Sequence, residues 1–158
     1  MARLYAPIAI PGAGKSHLAR AAVEAGLFPP TAIVATDEIR RMIADDHTVQ
    51  ANNTTVFDVF HTIIRARLRT GVDTYADATN LTAQSRQALY KIAVETRATL
   101  VWVRFYTPTA TCRERNRARG EAAVPEPAMG KMIRQLGEIA WDELPGNIVA
   151  AGTLLPPC

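Results

Sequence analysis

The chain has 158 residues, of which 48% are hydrophobic and 21% are charged, and its formal net charge is +3. These values fit one globular domain over residues 1–158 and exclude a disordered chain. The apolar runs are far shorter than the roughly 20 residues that span a bilayer, and Pro11 and Gly12 interrupt the N-terminal run, so we expect a soluble, cytoplasmic protein without a signal peptide or a membrane partner.

Hydrophobic periodicity and turn residues predict strands and helices that alternate along the chain. This alternation favours an α/β fold with a mainly parallel sheet and helices on both faces. In chain order the predicted segments are strand 4–10, loop 11–14, helix 15–25, strand 32–35, helix 37–44, polar stretch 45–55, an amphipathic helix around 57–68 that Gly71 closes, strand 72–77, helix 82–96, strand 99–106, helix 109–119, helix 128–139 and a weak strand 148–150.

The cysteines and histidines do not indicate a disulfide framework or a metal cluster. Cys112 and Cys158 are the two cysteines, too few for a disulfide scaffold, and we expect both to be free thiols. His17, His47 and His61 are scattered along the chain rather than spaced like zinc ligands.

A glycine-rich loop separates the first predicted strand from the first predicted helix. It reads AIPGAGKS over residues 9–16 and matches the Walker A pattern GxxxxGK[ST] except at Ala9, where glycine is usual. In such a loop the backbone N–H groups surround phosphate, Lys15 reaches the β- and γ-phosphates, and Ser16 ligates Mg²⁺. The competing interpretation is a glycine-rich turn before a helix. Because Ala9 has a Cβ, it needs a negative φ, so either the turn adapts or the nucleotide binds more weakly.

Two acidic positions follow predicted strands, where ligands of open α/β sheets bind. Asp37 and Arg40 are three residues apart at a helix start and therefore share a face, which suits Asp37 to accept a hydroxyl proton. An equally good local explanation is that Thr36 or Asp37 caps the helix. Asp77 follows the third strand, where a carboxylate that reaches Mg²⁺ through water would lie, although a turn-forming Asp/Asn cluster fits as well.

The densest basic segment is CRERNRARG over residues 112–120. Arg115 and Arg119 are four residues apart and are expected to project from one helix face, as arginines that close over phosphates do. Like charges at this spacing repel each other, so an anion between them would offset the cost. The alternative is an ordinary solvated helix face.

Together these segments resemble the kinase domain of phage and bacterial polynucleotide 5′-hydroxyl kinases. The motifs that carry the resemblance occur in the order PGAGKS, TDEIR, DATNL, RNRARG followed by AVP, and a helix with MIRQL, and they cover roughly residues 8–141. The ordered set is far more specific than the first motif, although related small-molecule and transfer-RNA kinases share parts of it. The chain departs from the pattern at Ala9 and at His17, where threonine is frequent. It also lacks the phosphatase domain that is fused to some members, so removal of 3′-phosphates is not expected.

The resemblance implies a P-loop kinase-like three-layer sandwich that uses ATP, or another nucleoside triphosphate, together with Mg²⁺. An arginine-bearing lid is expected over about residues 112–128, with Arg119 stabilising charge on the transferring phosphoryl group and Arg115 nearby. Ser16 is expected to ligate the metal directly, and Asp77 to support it through water. The residues expected to bind the nucleotide are Pro11, Gly12, Ala13, Gly14, Lys15, Ser16, His17, Arg115 and Arg119.

For the acceptor, the resemblance implies 5′-hydroxyl ends of DNA or RNA. Asp37 would be the general base on that hydroxyl, and Arg40 would lie near the scissile phosphate. Lys15 and Arg119 would complete the catalytic set. Val124 occupies a place where members of the family contact the terminal nucleotide, although an apolar residue there also serves packing.

Two other functions fit the same sequence. One is a P-loop kinase of a small molecule such as a nucleoside, a sugar or an antibiotic. The other is a nucleotide-binding module with little catalysis, which the replacement of glycine by Ala9 leaves open.

Overall fold

Five parallel strands form the centre of the structure, a computed structural model that describes residues 1–49 and 51–155. Cys158, one of the two expected free thiols, lies outside these residues. The strands are β1 (Arg3–Ile8), β2 (Ile33–Ala35), β3 (Thr74–Asp77), β4 (Thr99–Arg104) and β5 (Asn147–Ala150). Their order across the sheet is β2-β3-β1-β4-β5, and every neighbouring pair is parallel.

Helices cover both faces of this sheet, which confirms the predicted three-layer α/β fold. The helices are α1 (Lys15–Glu24), α2 (Thr36–Ala44), α3 (Asn53–Arg69), α4 (Ala83–Thr96), α5 (Thr109–Arg117) and α6 (Glu126–Gly137). One face of the sheet packs on α1, and the other packs on α3, α4 and α6. All the described strand pairs are parallel, so the sheet is more uniform than the mainly parallel one predicted.

The central strand β1 is buried on both faces. Leu4, Ala6 and Ile8 pack in the core beneath α3 and α4, whereas Tyr5 packs in the core beneath α1. Side chains of a strand alternate between faces, so a strand covered on both sides reads as an unbroken apolar run. On the facing helix α3, Phe60 is fully buried, as are two other residues at helical spacing, and each such side chain contributes about 1.5–3 kcal/mol.

Two predicted strands run past the C-terminal ends of the observed ones, and the second and third predicted strands begin one and two residues before β2 and β3. The first was expected to reach residue 10, but β1 ends at Ile8 because Ala9 bends into the glycine-rich loop and its N–H donates to the Thr79 carbonyl at 3.1 Å. The fourth was expected to reach residue 106, but β4 ends at Arg104. Buried apolar residues continue past the end of β1, so hydrophobicity alone overestimates its length.

Some helix boundaries also differ from prediction. Helix α2 begins at Thr36, one residue early, and α5 ends at Arg117, so Arg119 lies beyond the helix in a turn rather than within its last residues. Helix α6 begins at Glu126 with a proline in its first turn, where the missing N–H is not needed. No helix among the described residues is long and apolar enough to cross a membrane.

Candidate nucleotide-binding and catalytic site

The sequence-predicted site residues gather at one edge of the sheet. The glycine-rich loop follows β1, α2 follows β2, Asp77 ends β3, and the segment that leads to α5 follows β4. Because the strands are parallel, their carboxyl ends all meet at this edge, where open α/β sheets bind ligands. Topology thus brings together motifs that are up to about a hundred residues apart in sequence.

The glycine-rich loop owes its shape to two residues in the left-handed region. Gly12 has a φ of 83° and Gly14 a φ of 104°, and Gly14 leads directly into α1. A Cβ on Gly12 would lie 2.4 Å from the backbone oxygen of Cys112 in α5. Only glycine therefore allows the loop and α5 to approach this closely.

We expect Gly12→Ala to be more damaging than strain at a positive φ alone. Gly26→Ala is the matched control, because Gly26 also has a positive φ but has open space around it. The control should cost about 1–2 kcal/mol of unfolding free energy, whereas Gly12→Ala should cost more and also weaken nucleotide binding. Denaturant unfolding and a nucleotide titration measure both. Equal losses in stability would mean that the close approach to Cys112 is unimportant.

Ala9, the departure from the Walker A pattern, fits its position. It is buried and does not have a positive φ, so its Cβ is accommodated without backbone strain. The sequence left two possibilities for Ala9, an adapted turn or weaker nucleotide binding, and the structure shows a turn that accommodates the Cβ.

Lys15 begins α1 and folds back over the loop. Its ammonium donates to the carbonyls of Ile10 at 3.0 Å and Ala9 at 3.3 Å. Burial lowers the pKa of Lys15 to about 8, an effect that nearby Asp77 opposes and nearby Arg119 reinforces. A cation held among carbonyls in this way is preorganised for phosphate, whose charge would favour the protonated form.

This depressed pKa predicts pH-dependent nucleotide binding. Lys15 is protonated below its pKa of about 8 and neutral above it, so affinity for the polyphosphate should fall as pH rises from 8 to 10. Since bound phosphate stabilises the ammonium, binding at pH 8–9 should take up a proton. Calorimetry in buffers of different ionisation enthalpy measures this uptake. The Lys15→Ala variant should bind weakly and lose the proton uptake, and a persistent uptake would assign it to another group.

Ser16 and Asp77 form a pair beside Lys15. The Ser16 hydroxyl donates to Asp77 Oδ2 at 2.7 Å. Burial raises the pKa of Asp77, while the hydrogen bond from Ser16 and the charge of Lys15 oppose that rise. Asp77 is the last residue of β3, and the turn lies further on, at Asn80, which has a φ of 51°. The turn-forming explanation therefore applies to Asn80 rather than to Asp77.

The oxygens of this pair fit Mg²⁺. The ion prefers hard oxygen ligands and is usually held by one or two carboxylates, substrate phosphates and water. A hydroxyl and a carboxylate oxygen 2.7 Å apart, next to a phosphate-binding loop, are such a donor set. Among residues 1–49 and 51–155, no three His, Cys, Asp or Glu side chains cluster in a cage, and a phosphate-held magnesium ion requires none.

Asp37 and Arg40 are joined as their spacing predicted. The Arg40 guanidinium donates to Asp37 Oδ1 at 2.8 Å and to Asn53 Oδ1 at 2.7 Å. The Arg40 side chain is 9% exposed and that of Asp37 is 66% exposed, so the arginine is fixed and the carboxylate faces solvent. The N-cap of α2 is Ala35 and no side chain caps this helix, so capping does not explain Asp37.

Asn53 had escaped notice in the sequence. It is the first residue of α3, and only the packing of α2 against α3 brings it to Arg40. Arg40 is tied to Asp37 and Asn53, and its Nε is buried without a hydrogen-bond partner among the described residues. Arg40 thus contacts the expected base.

An open cleft of about 380 Å³ lies over the loop and carries a strong positive charge. Arg115 donates to the Gly12 carbonyl at 3.2 Å, and Arg119 lines the same cleft although it lies past the end of α5. Arg20, one turn beyond Ser16 on α1, also lines it and was missed, although its i, i+4 spacing from Ser16 pointed to it. The lining residues are Gly12, Gly14, Lys15, Ser16, His17, Arg20, Arg115 and Arg119.

The other expected residues lie outside this lining. Pro11 and Ala13 are buried in the loop, and the Thr107 hydroxyl donates to the Ala13 carbonyl at 2.9 Å. Val124 is partly buried against the core, and its backbone N–H and C=O both bond to the Asn116 side chain, at 3.0 and 2.8 Å. These contacts give Val124 a packing role and fix the segment that follows α5.

Comparison with known protein families and structures supports this description. The family model for the AAA domain matches residues 10–139. No curated protein matches the sequence significantly. The matched span includes nearly the whole glycine-rich loop, Asp37, Asp77 and the arginines of the cleft.

Solved structures with the same fold include proteins of different activity. A chain in the Pnkp1/Rnl/Hen1 RNA repair complex superposes with a TM-score of 0.71 at 23% identity, over 86% of this chain and 44% of that chain. Kti12 from Chaetomium thermophilum, solved with ADP-AlF3, superposes with a TM-score of 0.66 at 18% identity, over 93% of this chain and 88% of that chain. A sugar kinase from Janibacter sp. HTCC2649 superposes with a TM-score of 0.65 at 15% identity, over 98% of this chain and 91% of that chain. The chain therefore belongs to the AAA domain family, and its fold is that of the P-loop kinases.

Proposed function

We propose that this protein transfers the γ-phosphate of ATP to 5′-hydroxyl ends of DNA or RNA. The observation that carries the proposal is the solvent-facing Asp37 carboxylate, held by a buried Arg40 on the helix that follows β2. Asp37 lies at the same sheet edge as Lys15, and its charge opposes the lowering of the pKa of that lysine. The ordered motifs of the sequence favour a polynucleotide acceptor.

In the proposed reaction Asp37 accepts the proton of the 5′-hydroxyl. The hydroxyl oxygen then bonds to the γ-phosphorus while the bond to the β–γ bridging oxygen breaks, and ADP leaves. Lys15 and the loop N–H groups hold the β- and γ-phosphates, and Arg119, with Arg115, stabilises charge on the transferring group. Ser16 and Asp77 would hold Mg²⁺, which neutralises phosphate charge when bound.

The second candidate is a small-molecule kinase. The superposition on a sugar kinase supports it, because the same fold and the same loop serve that acceptor class too. A nucleotide-binding module with little catalysis is the third candidate. The departure at Ala9, which left this candidate open, causes no backbone strain in the loop.

A transfer assay with radiolabelled ATP separates the three candidates. The acceptors are a 5′-hydroxyl oligonucleotide, a nucleoside, a sugar and water alone. Label in the oligonucleotide supports the proposal, and label only in the nucleoside or sugar replaces it with the second candidate. Nucleotide binding without transfer to any acceptor would support the third candidate, a nucleotide-binding module.

A further inference from the structure

An exposed aromatic ring stands at the same sheet edge as the cleft, and the proposed reaction does not use it. Tyr106 follows the end of β4 and is 69% exposed. The guanidinium carbon of Arg104 lies 4.9 Å from the centre of the Tyr106 ring and 4.3 Å from the centre of the Trp141 ring. With one face on a cation, the ring leaves its other face open to a flat partner.

The residues before and after Tyr106 are both held by contacts with the rest of the protein. Phe105 packs against the core, and the hydroxyl of Thr107 donates to Ala13 in the phosphate-binding loop at 2.9 Å. Since adjacent Cα atoms are about 3.8 Å apart, Tyr106 lies within roughly 10 Å of that loop. The backbone of Tyr106 is therefore fixed beside the cleft while its side chain points into solvent.

The ring lies on the acceptor side of the sheet. Trp102 packs in the core beneath α3 and α4, and Arg104, two residues further along β4, points to the same face. Trp141, which stacks on Arg104, packs against that same core. Helix α2, which carries Asp37, contributes Ile39 to it, whereas α1 covers the opposite face. Tyr106 and the proposed base thus share one face, with β3 and β1 lying between the strands that lead to them.

Arg104 adds a charge suited to a nucleic-acid backbone. Within residues 1–49 and 51–155 its side chain makes no hydrogen bond or ion pair, and its guanidinium lies against the two aromatic rings. A guanidinium so placed can accept a phosphate at its edge while its face supports the rings. Aromatic rings beside positive charge are one arrangement by which proteins bind single-stranded nucleic acid without sequence preference.

We infer that Tyr106, supported by Arg104 and Trp141, is a stacking platform for a base of a single-stranded acceptor, downstream of its 5′-hydroxyl end. This inference rests on the proposed function and deepens it, because it names single strands as the acceptor. Every base has a flat face, so the platform does not select sequence. A duplex end keeps its bases stacked on each other and does not offer one to the ring.

The test compares Tyr106→Ala with Tyr106→Phe and with Tyr90→Ala, a control tyrosine on α4 that is 40% exposed and has no arginine stacked on it. The substrates are a single-stranded 5′-hydroxyl decanucleotide, the same strand with abasic sites after its first nucleotide, and ATP. Tyr106→Ala should raise KM and Kd for the decanucleotide by about 5- to 150-fold, the range for loss of one stacked base, with kcat and ATP affinity unchanged. Tyr106→Phe and Tyr90→Ala should behave like the wild type, and the abasic strand should be insensitive to Tyr106→Ala.

The outcomes separate this inference from the proposed function. If the wild type phosphorylates the decanucleotide and Tyr106→Ala does so with unchanged KM and Kd, the platform is wrong and the kinase assignment stands. Weaker ATP binding with unchanged decanucleotide binding would assign the ring to the donor base and overturn the inference. A lower melting temperature of Tyr106→Ala with unchanged decanucleotide affinity would make the Tyr106–Arg104 stack a structural contact and overturn the inference. If the wild type phosphorylates only a small molecule, the proposed function fails and the inference fails with it.

Discussion

Asp37→Asn is expected to lower phosphate transfer to a 5′-hydroxyl oligonucleotide by about 10²- to 10⁴-fold, the usual contribution of a general base. Asparagine keeps the shape of the side chain and an oxygen that can accept from Arg40, but it cannot take a proton from the acceptor. ATP affinity should hardly change, because Asp37 does not line the cleft over the phosphate-binding loop. The measurements are single-turnover transfer rates and a nucleotide titration.

The structure offers a matched control for this substitution on the same helix. Glu38 pairs with Arg41 at 2.8 Å with the i, i+3 spacing of Asp37 and Arg40, but both members of that pair are well exposed. Glu38→Gln should therefore leave turnover and melting temperature near wild-type values, as exposed pairs contribute little. Near-normal turnover in Asp37→Asn would remove the proposed base, and with it much of the case for this mechanism.

Arg119→Ala is expected to lower turnover by about 10²- to 10⁴-fold, as loss of one transition-state charge stabiliser does. Arg119 lines the cleft, and its side chain makes no hydrogen bond or ion pair with the described residues, so its charge is available to a ligand. The loss should fall mainly on kcat, because the charge it would stabilise develops during transfer. Steady-state kinetics with saturating ATP measure this division.

A second readout follows from the position of Arg119 near Lys15. Its charge helps to lower the pKa of Lys15, so Arg119→Ala should move the alkaline loss of nucleotide affinity to higher pH. Arg117→Ala is the control, because Arg117 is exposed, ends α5 and does not line the cleft. Equal losses of turnover at both positions would indicate a general nucleic-acid-binding surface in place of a lid.

The sequence by itself determined the motifs and the architecture that presents them. The Walker A spacing between an apolar run and a helix predicted the phosphate loop, and alternating segments predicted strands whose carboxyl ends meet. Spacing also predicted that Asp37 and Arg40 share a face. These features depend on residues close together in the chain, where helix and strand periods decide which side chains are neighbours.

Only the tertiary structure decided which distant groups touch. The backbone of Cys112 lies so close to Gly12 that no other residue fits there. Asn53 holds Arg40, and Trp141 contacts the guanidinium of Arg104 that also lies on the Tyr106 ring. The end of β1 was set in the same way, since a buried apolar residue fits a strand or a loop equally well in sequence. Such contacts join segments whose approach depends on how whole layers pack, and no local period of the sequence encodes that approach.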